Sequence, residues 1–227
     1  MSTEFVATEE QAETTGAWVP TWVVPAAIAV LLVALLGLLI GLYVTTRTPG
    51  TNSAEAGFAR DMSVHHAQAV EMAMIARDRT DDDQLRVVAT DILLTQQNQI
   101  GRMEGWLTVW DLPMTGGNGQ MSWMGHHVDG LMPGMATQEQ VNELQTMPVD
   151  KMNIQFLDLM IVHHQAGVEM AQAILDRSDE PVVRDLAQSI IKTQANEIAL
   201  MEEMLNRLGA PLPAGATGTP TVGEHQH

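Results

Sequence analysis

The chain has 227 residues, enough for one ordinary domain with appendages but short for two. Its 28 acidic and 11 basic residues give a net charge of −17, which argues against nucleic-acid partners and favours cations. The absence of cysteine excludes disulfides, thiolate metal sites and cysteine nucleophiles, so any metal site must use His, Met, carboxylate or carbonyl groups.

The chain begins with an acidic tail, residues 1–21, followed by an uncharged apolar run, residues 22–44. The run has about the length that one transmembrane helix needs. A secretory signal peptide starts with basic residues, whereas this tail carries none, so we predict a retained single-pass anchor. Basic residues that flank a transmembrane helix tend to lie on the cytoplasmic side of the membrane. Arg47 and Arg60 follow the run, so this tendency weakly favours a C-terminal domain on the cytoplasmic side.

An internal duplication follows a linker that is predicted over residues 45–56. Residues 58–107 and 156–205 align at a constant offset of 98 without an insertion, and "MSVHHAQAVEMA" in the first copy matches "MIVHHQAGVEMA" in the second. The copies lie within a predicted folded domain, residues 57–208.

Each copy is predicted to form a helical hairpin. Its first helix is expected over 58–79 or 156–177, and the second helix shows a one-sided apolar period near 3.6 after a polar turn. Since neither hairpin could bury its apolar stripe alone, the prediction is an all-α fold. Two duplicated hairpins would form a ferritin-like four-helix bundle with a pseudo-two-fold axis, preceded by one N-terminal transmembrane helix.

The connection between the copies, residues 108–150, is rich in Gly and Met and contains a third His pair. A short helix is expected near 138–145, after the N-cap candidate Thr137. The C-terminal tail, 209–227, is predicted to be disordered. Its His225 and His227 could capture metal loosely or be spare surface residues, and the second interpretation is favoured.

The duplicated motif predicts a Met and His face on each first helix. A helical wheel gathers two histidines and two methionines on one side, and the two faces should meet across the pseudo-two-fold axis. Each second helix adds a methionine as a candidate ligand and a glutamine as a candidate partner for a bound imidazole. The candidate metal ligands are Met62, His65, His66, Met72, Met103, Met160, His163, His164, Met170 and Met201, with Gln96 and Gln194 as their candidate supporting residues.

Imidazole and thioether groups together suit copper, in particular Cu(I). Di-iron bundles need inward-facing carboxylates, but the wheel turns Glu71 and Glu169 away from the Met and His face. Buried histidines with satisfied hydrogen bonds and methionines that merely pack are the alternative interpretation. The connection adds candidate loop ligands, which are His126, His127, Met121 and Met124.

The two M-x-x-H-H-x5-E-M-A stretches and the trailing T-Q-x-N-x-I-x-x-M-E segments resemble the CopM-like family, also described as domain of unknown function 305. The resemblance covers about residues 57–208. It implies a ferritin-like bundle, usually exported or membrane-anchored, in which the better understood members bind copper through Met and His and support copper tolerance. It therefore favours an extracytoplasmic domain, against the arginine evidence.

These observations predict a non-enzymatic copper-binding protein, anchored in the cytoplasmic membrane by one helix, with an extracytoplasmic C-terminal domain. It would sequester Cu(I) or Cu(II) or transfer it to a partner protein. Two alternatives stay open, a metal-dependent oxidoreductase on the same bundle and a structural or interaction module without metal.

Overall fold

The structure, a computed structural model, describes residues 20–45 and 48–213. Most of the acidic tail and the C-terminal residues His225 and His227 lie outside the described residues. The chain divides after Thr48 into two compact units.

In the first unit the structure describes the helix α1 (Val23–Thr45). Its segment Val23–Leu42 has a mean hydropathy of 3.0, and none of it is buried within the protein. By length and composition, this helix could cross a membrane. The apolar run predicted over 22–44 is therefore a helix with nearly the expected bounds.

The described part of the second unit contains four long α-helices and one short α-helix. They are α2 (Ala54–Arg79), α3 (Asp83–Val109), α4 (Gln138–Thr146), α5 (Val149–Leu175) and α6 (Pro181–Arg207). In the same described part, a single 3-10 turn at Ser122–Met124 lies between α3 and α4. All regular structure in the described chain is helical, which confirms the predicted fold class.

Capping residues explain several helix starts. Ser53 accepts a hydrogen bond from the Ala56 N–H, and Asp82 accepts one from the Leu85 N–H. Thr137 and Gln140 form a capping box at the start of α4, the short helix predicted near 138–145. Pro181 occupies the first turn of α6, where its missing N–H needs no partner.

The first helix of each hairpin is longer than predicted. α2 begins at Ala54 rather than 58, because Ser53 caps it, so the linker predicted over 45–56 ends earlier. α5 begins at Val149 rather than 156, because the additional turns bury Met152 and Asn153 against the bundle. Each addition lies before the duplicated segment, where the alignment of the copies carries no information.

The two hairpins repeat closely in space. α3 packs on α2, α6 packs on α5, and the hairpins meet mainly along α2 and α5. α3 and α6 each have 27 residues, and both their first and last residues are 98 positions apart. The structure therefore shows the pseudo-symmetric pair of hairpins expected from the duplication.

The bundle core consists of two hydrophobic clusters. The Phe58 cluster lies at the start of α2, the end of α3, the end of α5 and the start of α6; its main residues are Phe58, Met62, Met103, Leu107, Met170, Ile174, Val183 and Ile190. The Phe156 cluster lies at the opposite ends of the same helices; its main residues are Met72, Leu85, Ile92, Met152, Phe156, Met160, Met201 and Leu205. Every long helix thus runs from one cluster to the other.

Candidate metal centre

A layer of polar side chains separates the two hydrophobic clusters. On every long helix the residues between the clusters include a polar pair, and we call the eight residues the polar layer: His65, His66, Gln96, Gln99, His163, His164, Gln194 and Glu197. All four histidines have zero exposed area. Burying polar groups in a core costs free energy unless they form hydrogen bonds. The hydrogen bonds within this layer therefore show which of its polar atoms remain free to bind a ligand.

His65 on α2 and His163 on α5 are in contact with each other. Their ring centroids are 3.7 Å apart and their planes are inclined by 33°. Each has its sequence neighbour further out, with centroids 6.4 Å apart for His65 and His66 and 6.3 Å apart for His163 and His164. The two histidine pairs therefore have nearly the same internal spacing on α2 and on α5.

Each imidazole uses its Nε2 atom to reach an oxygen. His65 Nε2 lies 3.3 Å from the Pro133 carbonyl oxygen, and His163 Nε2 lies 3.0 Å from the His65 carbonyl oxygen. His66 Nε2 lies 2.7 Å from Gln99 Oε1, and His164 Nε2 lies 2.9 Å from Glu197 Oε2. Carbonyl and carboxylate oxygens only accept hydrogen bonds, so Nε2 must be the protonated nitrogen.

The other ring nitrogen of all four histidines is unpartnered. Each Nδ1 is buried and forms no hydrogen bond. With the proton on Nε2, each neutral ring presents a lone pair at Nδ1. Histidines that bind metals commonly donate their second N–H to a carboxylate or a backbone carbonyl, which is the arrangement found here.

Burial keeps the rings of His65, His66 and His163 neutral. Desolvation lowers the pKa of His65 to about 4, although the bond to the Pro133 carbonyl opposes the shift. Desolvation, with the neighbouring His65 adding to it, lowers the pKa of His66 to about 3. The pKa of His163 also lies well below its usual 6.5, mainly through desolvation. Neutral imidazole is the form that binds a metal ion.

The six predicted bundle methionines fall into two groups of three. Met62, Met103 and Met170 belong to the Phe58 cluster. Met72, Met160 and Met201 belong to the Phe156 cluster. Each group takes two methionines from one hairpin and the third from the other, and all six side chains are at most 1% exposed. Thioether sulfur is therefore available on both sides of the polar layer.

The expected hydrogen bonds of Gln96 and Gln194 to imidazole are not formed. Both side chains are 2% exposed, and neither amide oxygen nor amide nitrogen has a partner. Gln194 packs against α5 instead, where a Cβ added at Gly167 would lie 2.4 Å from its Oε1. The imidazoles of His66 and His164 bond instead to Gln99 and Glu197, one helical turn further on.

The sequence prediction missed Gln99 and Glu197. These positions correspond in the duplication, and both carry an oxygen that can accept a hydrogen bond. The matching positions of these two oxygen-bearing residues indicate that they could bond to the histidines. In the sequence, however, Gln96 and Gln194 are the clearest polar interruptions of the apolar stripes.

Part of the connection between the hairpins covers the polar layer. Pro133 supplies the carbonyl that His65 contacts, and the Gln68 amide exchanges two hydrogen bonds with the Ala136 backbone, at 2.9 and 2.7 Å. Gly134 has a φ of +75°, and a Cβ there would lie 2.5 Å from Ala166 Cβ on α5. The residues around Gly134 therefore lie tightly against α2 and α5, next to the histidines.

The predicted loop ligands lie away from the layer. His126 and His127 are exposed, and His127 Nε2 is 3.0 Å from Asp129 Oδ1. Met121 is buried in the Phe58 cluster, and Met124 packs at its edge. The structure does not bring these four residues to the polar layer, because the loop is attached to the outside of the bundle.

Asp61 attaches the loop to α2. Its Oδ2 accepts hydrogen bonds from the Met121 N–H and the Trp123 indole N–H, at 2.8 and 2.9 Å. Burial nevertheless raises the pKa of Asp61 above its ordinary value. The adjacent Arg60 donates to the Pro113 carbonyl in the same connection.

Carboxylates and histidines alone do not form a metal site among the described residues of this bundle. Within residues 20–45 and 48–213, no three His, Asp or Glu side chains are grouped so that they could hold a metal ion. Glu71 and Glu169 are exposed, as the helical wheel indicated. A metal ion in the polar layer would therefore need thioether or amide ligands beside imidazole, a combination that favours soft or borderline ions.

Known proteins share the fold and part of the sequence. The family model "Domain of unknown function (DUF305)" matches residues 55–205. A DUF305 crystal structure from Streptomyces coelicolor, described as that of a secreted protein, is 45% identical, with a TM-score of 0.69 over 73% of this chain and 99% of that one. A DUF305 fragment from Deinococcus radiodurans is 35% identical, with a TM-score of 0.59 over 70% of this chain and 99% of that one.

A further similar structure is CopM in its Cu(II)-bound form, at 25% identity and a TM-score of 0.53 over 68% of this chain and 97% of that one. An uncharacterised protein of Acanthamoeba polyphaga mimivirus is 38% identical over 52 residues, which are 23% of this chain. The match spans about a third of that relative, 34% of its length. Because the family model covers most of the helical bundle and more than half of the chain, the protein belongs to the DUF305 family.

Proposed function

We propose that the protein binds copper in the polar layer and holds or transfers it without catalysing a reaction. The observation that carries this proposal is the set of four buried imidazoles whose Nδ1 atoms have no partner. A buried acceptor without a partner costs about 1–3 kcal/mol, and a cation would remove that cost.

The identity of the ion follows from the available ligands. Imidazole lies within the layer and thioether groups flank it, whereas the layer's single carboxylate, Glu197, is bonded to His164, and no three His, Asp or Glu side chains of the described residues group into a harder site. His65, His66, His163 and His164 would supply nitrogen, and the two methionine groups would supply sulfur. This set suits copper better than iron, calcium or magnesium. The similarity to CopM, which has been solved with Cu(I) and with Cu(II), supports the same conclusion.

The test is a copper titration of the full chain in detergent, with Cu(I) under reducing conditions and with Cu(II). We expect near-stoichiometric binding that is weakened in a His65→Ala, His163→Ala variant. A His126→Ala, His127→Ala variant removes the same number of imidazoles from the exposed loop and should bind as the wild type does. No copper uptake, or equal losses in both variants, would end the proposal.

Thermal unfolding separates a metal site from a purely structural layer. A ligand that binds the folded protein alone raises its stability, by about 2.7 kcal/mol at a free concentration one hundred times Kd. If the histidines serve packing only, copper leaves the unfolding temperature unchanged. A redox assay of the copper-loaded protein tests the oxidoreductase alternative, for which we expect no turnover.

The location proposed for the domain is extracytoplasmic, with α1 as a single membrane anchor. The segment Val23–Leu42 supports the anchor by its length and hydropathy, and the secreted relative from Streptomyces coelicolor supports the side. Deleting residues 1–45 should release the domain from the membrane fraction. Protease added to intact cells should digest the domain of the full chain, and complete protection would contradict this orientation.

A further inference from the structure

The two halves of the polar layer differ in charge, although the duplication makes them alike in shape. His66 bonds to Gln99, and His164 bonds to Glu197, at corresponding positions and with similar distances of 2.7 and 2.9 Å. Gln99 is neutral, whereas Glu197 is a carboxylate. We define the first half-site by His66 and Gln99 and the second half-site by His164 and Glu197.

The surroundings do not cancel this difference. Among the described residues, His164 is the only histidine of the layer within ion-pair distance of a carboxylate. Near the layer the carboxyl of Asp61 is buried, one turn before His65, whereas that of Glu197 is partly buried; Asp61 accepts hydrogen bonds from Met121 and Trp123 and lies beside Arg60. The first half-site therefore gains no comparable negative charge.

A charge in a core changes which ions can enter. Imidazole and thioether ligands are neutral, so a bound ion keeps its full charge unless a nearby anion offsets it. A divalent ion needs such an anion more than a monovalent ion does. A carboxylate that accepts the N–H of a ligating imidazole also makes that imidazole a stronger ligand.

We infer that Glu197 makes the second half-site the tight site for Cu(II), while the first half-site, supported by Gln99, accepts Cu(I) and binds Cu(II) weakly. This inference rests on the proposed function. Glu197 acts through the His164 ring as a positioning residue, since its Oε2 lies against Nε2 and the lone pair is at Nδ1. The chain would thus hold copper in both oxidation states at two distinguishable places.

The duplication supplies matched variants for the test. Glu197→Gln gives the second half-site the residue of the first, and Gln99→Glu does the reverse, each with nearly unchanged side-chain volume. The full chain in detergent is titrated with Cu(II) and, separately, with Cu(I) under reducing conditions. The wild type should bind one Cu(II) ion tightly. The E197Q substitution should lower the affinity for that ion by about 10- to 100-fold. Cu(I) binding should change less.

Exchanging both residues tests the positioning role directly. In the wild type, His164→Ala should remove the tight Cu(II) ion and His66→Ala should leave it. In the Q99E, E197Q double variant the outcome should be reversed, so that His66→Ala removes the ion. A residue that merely stabilises the bundle could not move the site from one hairpin to the other. Q99E alone should add a second tight Cu(II) ion, a gain that cannot come from misfolding.

The results that would overturn the inference are specific. Unchanged Cu(II) affinity in E197Q, two equivalent Cu(II) ions in the wild type, or loss of the tight ion in His66→Ala would each refute it and leave copper binding intact. Wild type that binds no copper in either state would refute the proposed function, and the inference with it.

Discussion

Lowering the pH should destabilise the metal-free domain well before the carboxylates of the folded protein begin to be protonated. Burial lowers the pKa of His65 to about 4 and that of His66 to about 3, whereas an unfolded histidine titrates near 6.5. Below about pH 6.5 the histidines of the unfolded chain therefore bind protons, whereas the buried histidines of the folded chain stay unprotonated. This stability is present above the unfolded pKa and is lost as the pH falls towards the folded pKa.

The size of the effect follows from these pKa values. Between about pH 7 and about pH 5, each of the two histidines removes about 2 kcal/mol from the free energy of unfolding, and His163 adds to the loss. Urea unfolding of the full chain in detergent, with a chelator present and far-UV circular dichroism as the signal, measures it. Against a usual total of about 5–15 kcal/mol, a change of this size is readily detected.

Two variants serve as controls for this measurement. His65→Gln removes one titrating ring, so its stability should fall by about 2 kcal/mol less over the same pH range. His126→Gln changes an exposed loop residue and should keep the wild-type dependence on pH. Stability that stays level or rises between about pH 7 and about pH 5 would refute the assignment of buried neutral rings.

Three further substitutions test the packing around the polar layer. Gly134→Val should detach the residues around Gly134 from α2 and α5, because a Cβ at this position would lie 2.8 Å from the Val162 carbonyl oxygen. Proteolysis of this segment should then be faster, and cleavage at the wild-type rate would contradict the tight contact. Asp61→Ala leaves the Trp123 and Met121 N–H groups unpartnered and should cost about 1–3 kcal/mol, with altered tryptophan fluorescence as a second readout; an unchanged urea midpoint would show that the loop is held elsewhere. Phe156→Ala should cost about 3–5 kcal/mol by urea unfolding, and a much smaller loss would mean that its cluster collapses around the cavity.

The duplication made most of the bundle predictable. Because the two copies align without an insertion, one hairpin pattern predicts both, and the apolar stripes require the hairpins to pack together. The contact between His65 and His163 follows from the same reasoning. The helix starts at Ala54 and Val149 were not predictable in this way, since they lie outside the repeated segment and depend on a cap and on burial.

The details of the candidate site depend on side-chain directions that periodicity does not supply. Gln96 and Gln99 are one turn apart on α3, and only the packing of α3 on α2 decides which of them reaches His66. The loop ligands were proposed from composition, which gives no position. The wheel did separate Glu71 and Glu169 from the histidines, because a helix fixes those directions locally.

The polar layer also determines how the hairpins can be aligned. Two apolar helical hairpins could slide past each other by one turn at little cost, because methionine adapts to many shapes. With the histidines midway along α2 and α5, such a slip would place His65 among the side chains of one cluster and remove its contacts with His163 and Pro133. Unpaired polar groups would then enter a hydrophobic region, at a cost of about 1–3 kcal/mol each. The same residues that offer nitrogen to an ion thus select one alignment of the two halves from several that hydrophobic packing alone would allow.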